Sequence, residues 1–290
     1  MTAETYLYKK SKQGEPQMIP LISIERLKSK QTISRIPYIS YHSLFKAISV
    51  IHVSLRLYCP IYNISDDEFL ELSPLLALIE SSVYETDIET ENNQKNSNLS
   101  PHLAPWDNRK IIIQSFLKEF NLEHHTILEQ IDNLGEYFEL ESQLVASEKI
   151  TLEDVIRASE LRSSDLRIIH TILVQMSGKS YRAEIFEILS PTEILSEFQD
   201  DFCSYKRDVA AGNYNTYWMF QKLYGEEAHH YLKAEIDRYK NLFEEKLKLF
   251  PEEEQERYTK KWSRFWKRYS YLSSAELIRQ VALEGVENNE

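Results

Sequence analysis

Residues 200–208 read Asp200-Asp201-Phe202-Cys203-Ser204-Tyr205-Lys206-Arg207-Asp208 and lie in a stretch of helix-forming sequence. Asp200, Ser204 and Asp208 are spaced at i, i+4 and i+8. Because four residues advance an α-helix by only about 40° beyond a full turn, these three oxygen-bearing side chains share one face. Oxygen ligands suit a hard cation such as Mg²⁺, which commonly also binds substrate phosphate. The stretch therefore predicts a helix that carries a magnesium site, with Lys206 and Arg207 beside it for an anionic ligand.

The amino-acid composition favours helices on both sides of this stretch. The chain has 290 residues, enough to bury one sizeable core, but only 6 glycines. A β-rich or Rossmann-type protein usually needs more glycine for its turns and phosphate-binding loops. We expect residues 1–35, which are polar and irregular, to form a flexible N-terminal arm. Apolar residues then recur at helical spacing, so residues 36–290 are predicted to form a single all-α helical bundle.

Helix boundaries follow from this spacing and from the breakers between segments. We predict helices over residues 41–58, 66–85, 109–121, 123–147, 151–177, 181–189, 192–211, 214–223, 226–249 and 252–284. Residues 91–108 are rich in Asn, Ser and Pro and show no periodicity. Because long structureless loops are uncommon in compact domains and are often functional, this segment is predicted to border an active site.

The charge and the cysteine content argue against several classes of protein. A formal net charge of −12 disfavours nucleic-acid binding, because neutralising phosphates requires an excess of Lys and Arg. Two cysteines cannot form a disulfide framework, which fits a reducing cytoplasm. The N-terminus is too polar for a secretion signal, and charges and proline interrupt the most apolar stretch, residues 36–64, so no membrane span is predicted. We expect a cytoplasmic monomer or homodimer.

The stretch at residues 200–208 resembles the second metal motif of class I terpene synthases, (N/D)-D-x-x-(S/T)-x-x-x-(E/D). Asp200, Ser204 and Asp208 fall on its three metal-ligand positions, and Arg207 falls where the family often has a basic residue that touches the diphosphate. The resemblance spans about residues 66–270 and implies a helical bundle of the class I isoprenoid synthase type. The Gly-x-x-Asn that often follows this motif is present as Gly212 and Asn215.

The family pairs this motif with another carboxylate cluster on a facing helix, and the sequence offers two candidates. Asp87 and Glu91 follow an apolar segment and share a helix face, and the run from Asp87 to Glu89 resembles the Asp-Ile-x-Asp part of the family's first motif. The usual leading Asp-Asp pair is replaced by Glu85-Thr86. The alternative is Asp66-Asp67, which lies at a helix start where acidic residues are favoured without any metal. We favour Asp87 and Glu91.

An arginine upstream of residues 200–208 resembles the family's diphosphate sensor. Arg162 precedes Asp165 by three positions, as in the family's sensing arginine and its linked aspartate. Arg157 and Arg167 are alternatives, and a surface ion pair on a helix would explain any of the three.

A second basic motif lies close to the C-terminus. Arg268-Tyr269 follows a tryptophan-rich segment and resembles the late Arg-Tyr pair with which terpene synthases bind diphosphate. Arg257-Tyr258 is a second candidate for the same role.

The resemblance implies a magnesium-dependent terpene synthase, a lyase that ionises a prenyl diphosphate and cyclises or rearranges the carbocation. Three Mg²⁺ ions are expected when diphosphate is bound, and the many aromatic residues would stabilise the carbocation. The predicted metal ligands are Asp87, Glu91, Asp200, Ser204 and Asp208. The predicted substrate-binding residues are Arg162, Lys206, Arg207, Arg268 and Tyr269. The predicted catalytic residues are Asp87, Arg162 and Tyr269.

Three other functions remain open. A prenyltransferase of the same fold would need a second basic site, for which Lys28, Lys30 and Arg35 are candidates. A di-iron carboxylate bundle is suggested by Glu226-x-x-His229 and Glu227-x-x-His230, although another Glu-x-x-His at the right spacing is missing. A non-enzymatic helical adaptor also fits the imperfect first motif.

Overall fold

Helices follow one another along most of the chain that the structure describes. The structure is a computed structural model and describes residues 8–10, 16–18, 39–95, 105–268 and 270–284. The chain divides into two units, residues 1–38 and 39–290. In the first, β1 (Tyr8–Lys10) and β2 (Pro16–Met18) pair antiparallel, with Tyr8 opposite Met18. Most of the arm predicted over residues 1–35 lies outside the described residues.

The described part of the second unit contains helices and no strand, which confirms the all-α prediction there. Its α-helices are α1 (Tyr41–Leu57), α2 (Cys59–Tyr62), α3 (Asp66–Lys95), α4 (Pro105–Glu119), α5 (His125–Ala146), α6 (Leu152–Arg162), α7 (Ser164–Met176), α8 (Ala183–Ala211), α9 (Thr216–Tyr224), α10 (Ala228–Leu247), α11 (Glu252–Arg268) and α12 (Ala275–Glu284). Short 3₁₀ helices span Gly225–Glu227 and Ser270–Ser273. None of the described helices combines the length and the hydropathy needed to cross a bilayer.

Helix α3 is longer than the sequence predicts, and the predicted loop is correspondingly shorter. The predicted helix ends at residue 85, whereas α3 continues to Lys95, and α4 already begins at Pro105. The loop prediction for residues 91–108 is therefore wrong at both ends, and its centre, residues 96–104, lies outside the described residues. The extension forms because its small polar residues pack inward, with Thr86 and Thr90 buried.

Two other predicted boundaries also differ. The break predicted before residue 192 is absent: α8 continues through Pro191, whose side chain is buried in the core, and the Thr192 hydroxyl donates a hydrogen bond to the carbonyl of Leu189 at 2.6 Å. Burial of the Pro191 side chain thus compensates for the loss of the backbone hydrogen bond that a proline cannot form. Conversely, the predicted helix over residues 151–177 is broken at Ser163, directly after Arg162.

The helices that carry the two acidic motifs lie on either side of a shared core. Helix α3 packs against α1, α4, α5 and α7, and α8 packs against α6, α9, α10 and α12. Helix α5 joins the two groups because it packs against α3, α6 and α7. The largest fully buried side chains of this core are Tyr58, Tyr239, Phe198, Phe202 and Phe220.

Candidate active site

A cavity of about 480 Å³ lies among α1, α3, α5, α6 and α8. Its wall includes six carboxylate and three cationic side chains, together with aromatic rings. The carboxylates are Asp87, Glu91, Glu141, Asp200, Asp201 and Asp208, and the cations are Lys46, Arg162 and Arg207. The remaining lining residues are Phe45, Ser49, Val50, Tyr84, Tyr137, Cys203, Ser204, Asn213 and Tyr214. If all the lining acids are ionised, the wall carries an excess of three negative charges.

The acidic end of α3 separates into residues that face the cavity and residues that hold the fold together. Asp87 and Glu91 line the cavity, one helical turn apart. Glu85 instead accepts hydrogen bonds from the backbone N–H of Ser40 and from the Ser43 hydroxyl, so it anchors the start of α1. Asp87 and Glu91 are therefore the two of these four acids that line the cavity, whereas the fourth, Glu89, pairs with Arg109 at 3.0 Å.

The alternative first motif is remote from the cavity. Asp66 and Asp67 are exposed in the first turn of α3, about 30 Å along the helix from Asp87 at 1.5 Å per residue. Ser65 precedes them and exchanges hydrogen bonds with Glu68, an N-terminal capping box. The geometry thus favours Asp87 and Glu91 over Asp66 and Asp67 as the partners of α8.

Helix α8 presents Asp200, Ser204 and Asp208 to the cavity, as their spacing predicts. The Ser204 hydroxyl donates a hydrogen bond to Oδ2 of Asp208. Arg207 Nε lies 3.2 Å from Oδ1 of Asp208, although the arginine side chain is 81% exposed. Lys206 is exposed and is not among the residues of the cavity wall, so the predicted pair of basic residues is reduced to one at this wall.

Arg162 reaches the cavity from the last residue of α6. Its Nε lies 2.8 Å from Glu197, and its guanidinium donates to Oδ1 of Asp201 at 2.6 Å. Both carboxylates are on α8, one turn apart, and they raise the pKa of the Arg162 guanidinium against the effect of its burial. Arg162 is therefore a permanently charged group clamped at the wall of the cavity.

The Gly-x-x-Asn sequence after the motif forms the turn into α9. Gly212 ends α8 with a φ of +73°, a left-handed conformation that favours glycine. Asn215 caps α9, because its side-chain oxygen accepts from the backbone N–H groups of Tyr217 and Trp218. Its amide nitrogen donates to the carbonyl of Asp201 at 2.7 Å and to Oδ2 of Asp208 at 3.2 Å. This turn thus holds in place Asp208, the last residue of the acidic stripe that Asp200, Ser204 and Asp208 form along α8.

Glu141 is a cavity residue that sequence reasoning missed. It lies on α5, is only 3% exposed, and shares the buried face of that helix with Leu134, Phe138 and Leu144. Burial and, second, the nearby Asp87 carboxylate raise its pKa to about 8, against the opposing effects of Gln94, Arg162 and Tyr137. A glutamate at a position where helical periodicity calls for an apolar residue was the available signal.

A second group of acids, Glu80, Asp165 and Glu197, is not part of the cavity wall. Glu80 is fully buried, and desolvation, followed by the neighbouring Asp165, raises its pKa well above the usual value. Burial also raises the pKa of Asp165 to about 6 and that of Glu197 to about 8. Asp165, the predicted partner of Arg162, therefore belongs to this group and not to the cavity wall, while Glu197 and Asp201 hold the arginine.

The alternative arginines have other partners. Arg157 pairs with Glu136 on the surface at 2.9 Å. Arg167 is buried, where it pairs with Glu193 at 3.0 Å and donates to the hydroxyl of Ser190. Neither lines the cavity, whereas Arg162 does.

Only some of the predicted diphosphate-binding residues near the two ends of the chain lie within the described residues. Tyr269 and the side chain of Arg268 lie outside the described residues, as do Lys28, Lys30 and Arg35. Arg257 pairs with Glu253 at 3.8 Å, and Tyr258 is buried beside Phe250, away from the cavity wall. The Arg-Tyr prediction at residues 268–269 stays a prediction.

The side chains of the cavity fit a hard divalent cation. Their oxygen atoms are the ligand type that Mg²⁺ prefers, and the excess of acids calls for a cation. Within the described residues, no three His, Cys, Asp or Glu side chains converge closely enough to hold a metal ion by themselves. This arrangement suits Mg²⁺, which typically takes one or two carboxylates and completes its shell with water and substrate phosphate. The Glu227–His230 pair, at 4.0 Å, likewise forms no such group.

Comparison with known proteins does not identify a family. No protein-family model matches the chain, and no curated protein and no solved structure is significantly similar to it. The function must therefore be argued from the cavity and from the sequence motifs that line it.

Proposed function

We propose that this chain is a magnesium-dependent enzyme of the class I isoprenoid synthase type, which ionises a prenyl diphosphate and cyclises or rearranges the carbocation. One observation carries the proposal. Asp87 and Glu91 on α3 line the same cavity as Asp200, Ser204 and Asp208 on α8. Asp87 and Asp200 are 113 positions apart in sequence, so their shared cavity is not a product of local helix geometry.

The acidic residues on the two walls are the proposed metal ligands. Asp87 and Glu91 would hold Mg²⁺ on one side and Asp200, Ser204 and Asp208 on the other. Bound Mg²⁺ would neutralise and polarise the diphosphate leaving group.

Two cations of the cavity wall, Arg162 and Arg207, are the proposed hydrogen-bond donors to the diphosphate. Arg162 is oriented by Glu197 and Asp201, so its charge is fixed before substrate arrives. Arg207 is the more exposed cation, and the rest of its guanidinium would donate to a bound anion while Nε stays near Asp208. Together they would stabilise the charge that develops as the carbon–oxygen bond of the substrate breaks.

Aromatic rings offer a surface for the hydrocarbon part of the substrate. Phe45, Tyr84, Tyr137 and Tyr214 line the cavity. Burial raises the pKa of all three tyrosine hydroxyls, so these side chains stay neutral. Neutral aromatic faces stabilise a carbocation through their quadrupoles and do not trap it as a phenolate would.

The proposal is tested by incubating the protein with Mg²⁺ and prenyl diphosphates of several chain lengths and measuring the diphosphate released. We expect metal-dependent release that Asp200→Ala reduces by about a hundredfold or more. Asp66→Ala is the matched control, because it removes an exposed aspartate from the competing motif, and we expect it to retain wild-type release.

Two outcomes would overturn the proposal. One is the absence of diphosphate release with every substrate, and the other is an equal loss of release in Asp66→Ala and Asp200→Ala. Analysis of the products separates the terpene synthase from the prenyltransferase of the same fold, because cyclisation keeps the carbon number and condensation raises it.

A further inference from the structure

Glu141 lies in the cavity but belongs to neither sequence motif. It reaches the cavity from α5, a third helix, which packs against α3. The residue is 3% exposed, yet its side chain is part of the cavity wall. A carboxyl group in such a place needs a partner, because burying an unpaired charge is costly.

The hydrogen bonds of Glu141 leave one oxygen open. Oε1 accepts from the side-chain amide of Gln94 at 3.1 Å. Oε2 is buried and has no hydrogen-bond partner among the residues that the structure describes. A buried acceptor that lacks a partner marks a position where a ligand or ion belongs.

A second carboxylate of the same cavity makes the need for a cation stronger. Asp87 on α3 lines the cavity together with Glu141, and two carboxylates that face one cavity repel each other when both are charged. Within the described part of the chain, Asp87 forms one ion pair, with Lys46 at 3.5 Å, and the Lys46 side chain is 35% exposed. Arg162, the other cation nearby, is held by Glu197 and Asp201.

We propose that Glu141 and Asp87 together hold one divalent cation, and that this site between α3 and α5 fills without substrate. Two carboxylates with water in the remaining positions are a usual set of ligands for Mg²⁺. The inference deepens the proposed function and rests on it for the role of Asp87 as a metal ligand. It adds a second protein ligand for the same cation, Glu141, from outside the two acidic motifs.

The test uses Mn²⁺ as the probe, because its electron paramagnetic resonance signal reports the free ion directly. The dissociation constant for Mn²⁺ is measured without any diphosphate in the wild type, Glu141→Gln and Asp87→Asn. We expect each substitution to weaken the tightest site by about tenfold or more. The loss of affinity in the double variant should be smaller than the sum of the two single losses, because both residues bind the same ion.

The matched control is Glu139→Gln, which removes the same charge from an exposed position on the same helix. We expect its Mn²⁺ affinity to stay within about twofold of the wild type, since a screened surface charge has little effect. Circular dichroism melts of each variant check that the fold is intact. Equal Mn²⁺ affinity in the wild type and Glu141→Gln, or no Mn²⁺ binding by the wild type, would overturn the inference.

The two proposals fail separately. Glu141-dependent Mn²⁺ binding without turnover of any prenyl diphosphate would refute the proposed function and leave the cation site standing. Magnesium-dependent turnover with unchanged Mn²⁺ affinity in Glu141→Gln would refute the cation site alone.

Discussion

Asp201 accepts a hydrogen bond from Arg162 at 2.6 Å, while its neighbour in sequence, Asp200, is exposed at the same cavity. Asp201 also accepts from the backbone N–H of Thr216 at 2.7 Å, which ties α8 to the start of α9. One aspartate of the pair therefore holds the fold together, and the other lines the cavity from an exposed position.

The two aspartates should differ in their effect on stability. We expect Asp201→Ala to lower the free energy of unfolding by about 2–4 kcal/mol, because it breaks a buried ion pair and a helix-capping bond. Asp200→Ala should change it by no more than about 0.5 kcal/mol, as for other exposed sites. Urea denaturation of both variants measures the difference, and equal destabilisation would contradict this assignment.

Asn215 should matter for stability as well as for the site. Asn215→Ala removes the cap of α9 and two bonds to α8, so we expect a loss of about 1–3 kcal/mol in the free energy of unfolding. Asn215→Ser retains a capping oxygen and should recover part of that loss. Asn241→Ala, at an exposed position of α10, is the control and should be nearly neutral. A neutral Asn215→Ala in urea denaturation would contradict the role of this turn.

Lys46 should compete with a metal ion for Asp87. The Lys46–Asp87 pair is half-exposed, so Lys46→Met should change the free energy of unfolding by less than about 1 kcal/mol. Removing the lysine charge should tighten Mn²⁺ binding by about threefold or more, because the Lys46 ammonium group repels a cation bound at Asp87. Lys110→Met, which removes a similar surface pair with Asp132, should leave the affinity unchanged. Weaker Mn²⁺ binding in Lys46→Met would show that the lysine supports the site.

His170 should give the protein a specific sensitivity to acid. Its ring is fully buried, stacks on Tyr58 at 4.4 Å, and shares a hydrogen bond of 3.1 Å with the Tyr62 hydroxyl. Burial lowers the pKa of His170 to about 3, whereas the unfolded value is about 6.5. Between these values the unfolded chain binds a proton that the native protein excludes. The free energy of unfolding should therefore fall as the pH drops from about 6.5 towards 3, by up to about 1.4 kcal/mol per pH unit.

Two variants separate the contribution of His170 to the loss of stability at low pH from that of other groups. Urea denaturation at about pH 7 and about pH 4.5 should show a smaller loss of stability in His170→Phe than in the wild type. His42→Phe replaces an exposed histidine and should lose as much as the wild type does. The same loss in both variants would show that His170 is not the group responsible.

Local sequence was sufficient to predict most of the helices and one wall of the site. The spacing of Asp200, Ser204 and Asp208 places them together because it depends only on helix geometry. The break at Ser163 and the continuity through Pro191 were not predictable in this way, because tertiary packing decides both. Helix propensity is a weak prior that such packing routinely overrides.

The rest of the site depends on contacts between distant parts of the chain. That Arg162 pairs with Glu197 and Asp201, and not with its near neighbour Asp165, follows from how α6 meets α8. Glu141 was missed because one acid on an apolar helix face is a signal without a motif. The cavity is what shows which groups surround it.

The hydrogen bonds that Asp208 receives have a consequence for how the protein is handled. Ser204, Arg207 and Asn215 all donate to this carboxylate, so the acidic stripe keeps its shape before any ion arrives. Under the proposed function, folding and Mg²⁺ binding would then be separate events, unlike in zinc fingers, which are unfolded without their metal. Protein purified in a chelator should remain folded and should regain full activity once Mg²⁺ is restored.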